Sequence, residues 1–288
     1  MDQVKELFSF LPDKAYLQLY YFLKFRKLCN FRNPKTFSEK MQWLKLYNRK
    51  ARYTVMADKY AVKDYVAERI GREYIIPTLG VWDRFEDIDF HELPEQFVLK
   101  CTHDSGGLVI CRDKQTLDME KARIVLTESL HRDYDRIARE WPYKDIPRKI
   151  IAEKLMFDES QREGLRDYKF YCFGGEPKFL YVSLGMDNHA TARMSFLNLD
   201  WTFAPFRRRD YIPFEQLPPK PVNFEKMLEL ARKLSEGEPF LRVDLYEIEG
   251  KIYFSELTFT PCGGMMQFDP DEWDHTLGQW IQLPEKTK

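Results

Sequence analysis

The stretch FLRVDLYEIEGKIYFSELT, residues 240–258, constrains the fold more tightly than any other part of the chain. Apolar and polar residues alternate on both sides of Glu249 and Gly250, which is the pattern of two antiparallel strands joined by a tight turn. The alternation places Asp244 opposite the apolar face of the first strand, and Glu256 stands on the second. The sequence therefore predicts a sheet in which each strand of one hairpin carries a carboxylate.

The register of this hairpin decides whether the two acids meet. A two-residue turn at Glu249 and Gly250 would pair Asp244 with Ser255 and turn Glu256 to the far face. A three-residue loop or a single bulge would place Asp244 directly across from Glu256. Two opposed carboxylates repel unless a cation lies between them, and Mg²⁺ is commonly held by one or two carboxylates. The alternative is an exposed hairpin with ordinary surface acids.

A second pattern, FVLKCTHDSGGLVIC, covers residues 97–111. Two short apolar runs flank a glycine-containing segment, which is typical of two strands joined by a loop. Lys100 ends the first strand, and Ser105, Gly106 and Gly107 follow it. Glycines let backbone N–H groups approach phosphate oxygens, and a lysine supplies a positive charge beside them. Neither of the common glycine-rich nucleotide motifs occurs here, and a plain hairpin loop is the alternative.

The rest of the chain predicts helices followed by mostly antiparallel strands. No run of βαβ units occurs, which argues against a doubly wound nucleotide-binding fold and favours the α+β class. The predicted later elements are strands over residues 149–156, 167–173, 177–184 and 194–199, and a helix over about 223–236.

Charge and cysteine usage restrict the function classes. Lys and Arg total 45 and Asp and Glu total 46, so there is no electrostatic argument for binding nucleic acid or an anionic membrane in bulk. Five scattered cysteines without a C-x-x-C pair indicate free thiols in a reducing cytosol. The start lacks the pattern of a signal peptide, and no stretch approaches the ~20 apolar residues of a membrane span. These features predict a soluble cytoplasmic protein, with peripheral attachment to a membrane assembly left open.

Taken together, these segments resemble the ATP-grasp superfamily. DKYAVKDYV, FVLK with its glycine loop, IIAEKL, RVD and SELTFTP occur in the family's order. NPKTFSEKMQWLKLY, DYKFYCFGGEPKF and ELTFTPCGG are similar to the TupA-like branch, which is named for teichuronopeptide biosynthesis. The resemblance implies two α+β subdomains with mainly antiparallel sheets that grip ATP. We accordingly expect a helical N-terminal region over 1–57, a subdomain with the glycine loop over 58–148, and a subdomain with the metal-binding hairpin over 149–288.

The resemblance also implies roles for individual residues. Arg242 and Lys100 are the expected catalytic residues, since Arg242 matches an arginine that stabilises an oxyanion and Lys100 would contact the α- and β-phosphates. Asp244 and Glu256 match magnesium ligands, and Thr258 stands where the family often has asparagine, whose amide carbonyl is the better ligand. The nucleotide-contacting residues implied are Lys63 (with Lys59 as an alternative), Lys100, Ser105, Gly106, Gly107, Glu153, Lys154, Leu155, Asp167 and Lys169.

The activity implied is that of an ATP- and Mg²⁺-dependent carboxylate–amine ligase that works through an acyl phosphate. Family members often lie among cell-surface polysaccharide genes, so the expected substrates are an anionic saccharide or other carboxylate acceptor and an amine, with possible association with a polysaccharide-synthesis assembly. Arg207, Arg208 and Arg209 could hold such an acceptor, or could form a solvated basic loop. Alternatives are a transferase, either an ATP-grasp kinase or a glycosyltransferase, and a non-catalytic nucleotide-binding module.

Overall fold

The computed structural model describes residues 8–158, 164–186 and 190–287. Contacts divide the chain into two compact units. We call residues 50–156 the lysine unit, and residues 1–49 with 157–288 the hairpin unit. The sequence-based division at residues 57 and 148 stays a prediction.

The described elements are mixed helices and antiparallel strands, which confirms the predicted α+β class. The helices are α1 (Asp13–Phe25), α2 (Phe37–Tyr47), α3 (Arg52–Ala57), α4 (Val62–Ile70), α5 (Met119–His131), α6 (Tyr134–Ala138), α7 (Phe224–Ser235) and α8 (Glu272–Trp280). The strands are β1 (Thr78–Trp82), β2 (Phe97–Cys101), β3 (Leu108–Cys111), β4 (Ile150–Lys154), β5 (Asp167–Phe173), β6 (Glu176–Leu184), β7 (Arg193–Asn198), β8 (Arg207–Arg208), β9 (Phe240–Ile248), β10 (Lys251–Thr258) and β11 (Phe268–Asp269). No helix among the described residues is both long and apolar enough to cross a bilayer.

The hairpin unit is built on a five-stranded antiparallel sheet with the order β10-β9-β5-β6-β7. Helix α7 is strongly amphipathic and packs its buried side chains, among them Met227 and Leu230, against β5, β6 and β9. A cluster of aromatic side chains forms a second core, in which Tyr171 stacks on Phe179 and Phe37 meets Phe240 edge to face. Both cores therefore pack on β5 and β6, and β5 lies next to β9 of the acidic hairpin.

Helix α2 joins this unit from the N-terminal end of the sequence. The side chain of Thr36 accepts a hydrogen bond from the backbone N–H of Glu39 in a capping box. The backbone and hydroxyl of Ser38 both donate to Asp274 in α8, at 2.8 and 2.9 Å. A Cβ on Gly278 would come within 2.2 Å of a backbone oxygen of the chain entering α2, so only glycine permits this close approach.

The lysine unit contains a four-stranded antiparallel sheet with the order β1-β4-β2-β3. Phe97, Leu99 and Ala152 lie on one face and pack with Leu126 of α5. Because side chains alternate along a strand, Lys100 and Glu153 project from the opposite face. This alternation is what places charged groups next to a rigid sheet.

Candidate active site

The first charged cluster is a buried carboxylate held between two lysines. In the lysine unit, Lys63 Nζ lies 2.6 Å from Glu153 Oε1, and Lys100 Nζ lies 2.5 Å from Glu153 Oε2. Lys63 Nζ also donates to Thr78 Oγ1 at 2.7 Å and to the Ile76 carbonyl at 2.9 Å. Strand β1 contributes Thr78 because Thr78 pairs with Glu153 across the ladder. The cluster thus depends on the order of three strands and one helix.

Burial and charge act against each other in this cluster. Burial raises the pKa of the Glu153 carboxyl, but the ammonium groups of Lys100 and Lys63 outweigh it and lower the pKa below its ordinary value. Burial lowers the pKa of Lys63, and the attraction of Glu153 offsets this only in part. With two cations and one anion, the cluster has a surplus positive charge. Lys100, whose side chain is 28% exposed, presents that charge to solvent and could bind phosphate.

The glycine loop between β2 and β3 is anchored through Asp104. Asp104 is buried, and its Oδ2 accepts from Ser129 Oγ at 2.5 Å and from Arg132 at 3.2 Å. Lys59 Nζ donates to the carbonyl oxygen of Asp104. The two lysines that the sequence offered as alternatives therefore have different partners. Lys59 holds the loop, whereas Lys63 belongs to the cluster around Glu153.

The tip of the loop is open to solvent. Ser105 and Gly106 are exposed, and Gly106 has a φ of +133°, a conformation that favours glycine. Gly107 is buried, and a Cβ there would lie 2.0 Å from Ser129 Oγ. His103, which the sequence places in a polar loop, is buried, and burial lowers the pKa of its imidazole. The loop thus offers backbone groups of Ser105 and Gly106 to a ligand, while Gly107 permits contact with α5.

Gly107→Ala is expected to destabilise the protein by about 1–3 kcal/mol, since the added methyl group would overpack the contact with Ser129. Urea unfolding measures this change. Ser105→Ala in the same loop is the matched control, because an exposed substitution usually changes stability by no more than about 0.5 kcal/mol. Equal stability of the two variants would contradict the close approach.

The segment predicted to receive adenine ends strand β4. Glu153 faces the two lysines, and the side chain of Lys154 is exposed. The backbone N–H of Lys154 donates to the carbonyl of Pro77 at 3.1 Å, and Leu155 follows the strand half-buried. The role of Glu153, Lys154 and Leu155 in adenine binding stays a prediction.

The second charged cluster lies on the hairpin of β9 and β10. Glu249 and Gly250 form a two-residue turn with φ of 50° and 71°, as tight hairpin turns require. This turn alone would pair Asp244 with Ser255, but the register shifts between Phe254 and Glu256. The bulge brings Glu256 directly opposite Asp244. Of the arrangements that the sequence left open, the structure has the two-residue turn combined with a bulge.

Arg242 and Lys169 surround the carboxylate of Asp244. Arg242 donates from Nε to Asp244 Oδ1 at 2.7 Å and from a terminal nitrogen to Oδ2 at 2.6 Å. Lys169 Nζ lies 2.7 Å from Asp244 Oδ2 and 3.3 Å from Asp167 Oδ1. Arg242 also reaches Glu256 Oε2 at 3.2 Å. Asp244 is fully buried, whereas 40% of the Glu256 side chain is exposed.

The charges of this cluster stabilise one another's ionised forms. Burial raises the pKa of Asp244, but Arg242 and Lys169 outweigh it and hold that pKa below its ordinary value. Burial lowers the pKa of Lys169, but Asp167 and Asp244 raise it well above its ordinary value. The three carboxylates of Asp167, Asp244 and Glu256 exceed the two cations by one negative charge. This surplus favours the binding of a further cation.

The predicted magnesium ligands lie on the two paired strands of the hairpin. Thr258 Oγ1 donates to Glu256 Oε2 at 3.2 Å, so Asp244, Glu256 and Thr258 place three oxygen-bearing groups along the paired strands. Within the described ranges, no group of three or more His, Cys, Asp and Glu side chains is arranged as a metal site. Two carboxylates and a hydroxyl nevertheless fit an Mg²⁺ ion whose other ligands are phosphates or water.

The basic segment FRRRD is not a run of free cations. Arg207 pairs with Asp269 at 2.9 Å, Arg208 with Asp210 at 2.5 Å, and Arg209 with Asp271 at 3.2 Å. Sequence reasoning missed Asp269 on β11 and Asp271 after it, because the pairing of β8 with β11 joins residues far apart in the chain. It also missed Thr78 in the lysine cluster and Tyr181, whose ring lies 5.8 Å from the Arg242 guanidinium. No local motif marks either residue.

A protein-family model agrees with the motifs of the sequence. The family model described as TupA-like ATPgrasp matches residues 39–282. A solved L-amino acid ligase from Bacillus licheniformis is 12% identical with a TM-score of 0.49, and the match covers 96% of this chain and 64% of that chain. A RimK domain ATP-grasp protein from Sphaerobacter thermophilus is 15% identical with a TM-score of 0.44, covering 82% and 70%.

A further solved structure is the D-alanine–D-alanine ligase from Bacillus anthracis complexed with ATP. It is 14% identical with a TM-score of 0.40, and the match covers 71% of this chain and 54% of that chain. The chain therefore spans little more than half of that ligase. No curated protein matches the chain.

Proposed function

Since the chain belongs to the TupA-like ATP-grasp family, we propose that it is an ATP-dependent carboxylate–amine ligase that acts in cell-surface polysaccharide biosynthesis. The observation that carries this proposal is the bulged hairpin, which sets Glu256 opposite Asp244 with Arg242 bonded to both. A plain surface hairpin would not bury an arginine and an aspartate together. The substrates proposed are ATP, an anionic saccharide or other carboxylate, and an amine such as an amino acid.

The reaction proposed has two steps. The acceptor carboxylate attacks the γ-phosphate of ATP, which releases ADP and leaves an acyl phosphate; the amine then attacks the acyl carbon and phosphate departs. Lys100 and the glycine loop hold phosphate oxygens, and the arginine of the hairpin cluster stabilises the oxyanion of the second step. The chain supplies positioning and charge, so no protein nucleophile is required.

In the hairpin unit, we assign Asp167 to ribose hydroxyls and Lys169 to phosphate. Glu256 is the exposed donor for Mg²⁺, with Asp244 and Thr258 beside it. When bound, the ion would neutralise negative charge on the transferred phosphate. Asp244 would share its charge between that ion and the two basic side chains that it already contacts.

A second candidate is a nucleotide-binding module without turnover. The full burial of Asp244 against Arg242 and Lys169 favours it, because an acid already bonded to two cations is a weaker metal ligand than a free one. A kinase that uses the same ATP site is a third candidate. All three bind ATP, so only the reaction distinguishes them.

The test is to incubate the protein with ATP, Mg²⁺ and a panel of uronic acids and amines, and to measure ADP and product mass. ADP formation that requires both a carboxylate and an amine is expected. ADP formed with a hydroxyl acceptor alone would indicate a kinase. ATP binding without turnover across the panel would favour the module and count against the ligase.

A further inference from the structure

The hairpin unit contains a cavity of about 380 Å³ beside the segment FRRRD. Small-molecule pockets are usually about 300–1,000 Å³, mostly apolar, with a few polar groups that orient the ligand. Four phenylalanines and three prolines line this cavity, together with Ser195, Arg207 and Asp269. Its composition and size are therefore those of a site for a small ring-shaped ligand.

The aromatic walls of the cavity differ in rigidity. Phe206 is 5% exposed and is backed by Trp273, with ring centroids 4.5 Å apart. Phe203 is 41% exposed and forms an outer wall. Ser195 Oγ accepts from the backbone N–H of Phe214 at 2.9 Å, which fixes a third wall against β7. A ring whose faces carry C–H groups would contact these side chains without burying a charge.

The polar edge of the cavity is an ion pair between Arg207 and Asp269, in which the terminal N–H groups of Arg207 are still available as hydrogen-bond donors. Arg207 and Asp269 stand opposite each other on β8 and β11, and Arg207 Nε donates to Asp269 Oδ2 at 2.9 Å. Arg209 lies 3.5 Å from the other oxygen of Asp269, so two guanidinium groups already neutralise this acid. Among the described residues, no acceptor engages the two terminal nitrogens of Arg207, whose side chain is 63% exposed.

We propose that this cavity binds a saccharide ring that carries a carboxylate. The ring faces pack on Phe203 and Phe206, hydroxyl groups bond to Asp269, and the carboxylate accepts both terminal N–H groups of Arg207 in a planar, bidentate pair. An amino acid fits less well, because its ammonium group would meet an acid that is already neutralised. A purely apolar ligand would leave the free guanidinium donors unused. This inference rests on the proposed function, because it identifies the chemical class of the acceptor in that reaction.

The experiment is calorimetric titration of the intact protein without ATP, using D-glucuronate, D-glucose, cyclohexanecarboxylate and phenylalanine as probes. We expect glucuronate to bind, and Arg207→Met to weaken it by about tenfold or more, as loss of a charged hydrogen-bonded pair implies. Phe203→Ala should also weaken it. Arg232→Met is the matched control, because Arg232 makes the same kind of exposed pair, with Glu176 at 3.0 Å, elsewhere in the unit.

Failure to bind glucuronate at millimolar concentration would overturn the proposal, as would equal affinity in Arg207→Met and Arg232→Met. Equal binding of cyclohexanecarboxylate, or preference for phenylalanine, would assign the cavity to another ligand and overturn it too. ATP turnover is measured in parallel. Glucuronate binding without ATP turnover would support this site and count against the ligase. ATP turnover that Arg207→Met leaves unchanged would support the ligase and count against this site.

Discussion

Asp244→Ala is expected to lower the free energy of unfolding by about 3–5 kcal/mol, which is the usual cost of removing one partner from a buried ion pair. The substitution leaves Arg242 and Lys169, each only 10–12% exposed at the side chain, without the carboxylate that both contact. Chemical denaturation measures the loss. Glu229→Ala is the matched control in the same unit, because its pairs with Lys226 and Lys233 are exposed, and solvent-exposed ion pairs stabilise a fold little.

The conservative variant Asp244→Asn separates charge from packing. It keeps the shape of the side chain but removes the negative charge, so ATP turnover should be lost even where the fold survives. A variant that keeps both its stability and its turnover would contradict the buried cluster. If stability fell while ATP turnover stayed complete, Asp244 would be a partner in the buried ion pairs but would have no role in the proposed reaction.

The same cluster predicts how stability depends on pH. The pKa of Asp244 in the folded state is held below its ordinary value of about 3.9, which applies to the unfolded chain. Between these two values the unfolded state binds the proton more readily, so the stabilisation is complete above about pH 4 and is lost as the pH falls through the folded pKa. Asp244→Asn should lack this part of the acid dependence. Unfolding curves of the unsubstituted protein and of Asp244→Asn between pH 7 and pH 3 measure this difference. An equal loss of stability in both proteins would contradict the assignment of the acid dependence to Asp244.

The sequence could predict what depends on local pattern. Alternation and turn residues predicted β4 to β7 and α7 to within two residues at each end, whereas they did not predict β8 and β11. The motifs identified the ATP-grasp family, which the family match confirms. The capping box at Thr36 is equally local and is present. These features could be predicted because backbone geometry and burial of one face act over a few neighbouring residues.

What the sequence left open depends on contacts between distant residues. The bulge at Ser255 cannot be deduced from the hairpin alone, since the turn at Gly250 favours the register without it. The pairing of Ser38 with Asp274 joins helices more than two hundred residues apart. The contact of Glu153 with two lysines likewise requires β4 to lie between β2, which carries Lys100, and β1, whose Thr78 holds Lys63. No local pattern specifies this order of strands.

Lys100→Met is expected to weaken ATP binding by about 10- to 100-fold, because hydrogen bonds to charged groups contribute about 1.5–3 kcal/mol. Lys100 is the more exposed of the two lysines around Glu153, at 28% of its side chain against 11% for Lys63. Its removal leaves Glu153 paired with Lys63, so the fold should survive while the charge offered to phosphate is lost. Titration with ATP measures the affinity, and thermal unfolding confirms that the variant is folded.

Lys121→Met supplies the matched control, because Lys121 of α5 lies in the same unit and its exposed side chain is not part of the Glu153 cluster. Lys63→Met should behave differently from both. It leaves Glu153 buried with Lys100 alone and removes the bonds to Thr78 and Ile76, so its main effect should be on stability. If Lys100→Met bound ATP as tightly as Lys121→Met does, the cluster would be a structural ion pair of the sheet, and the phosphate-binding role would pass to the backbone of the glycine loop.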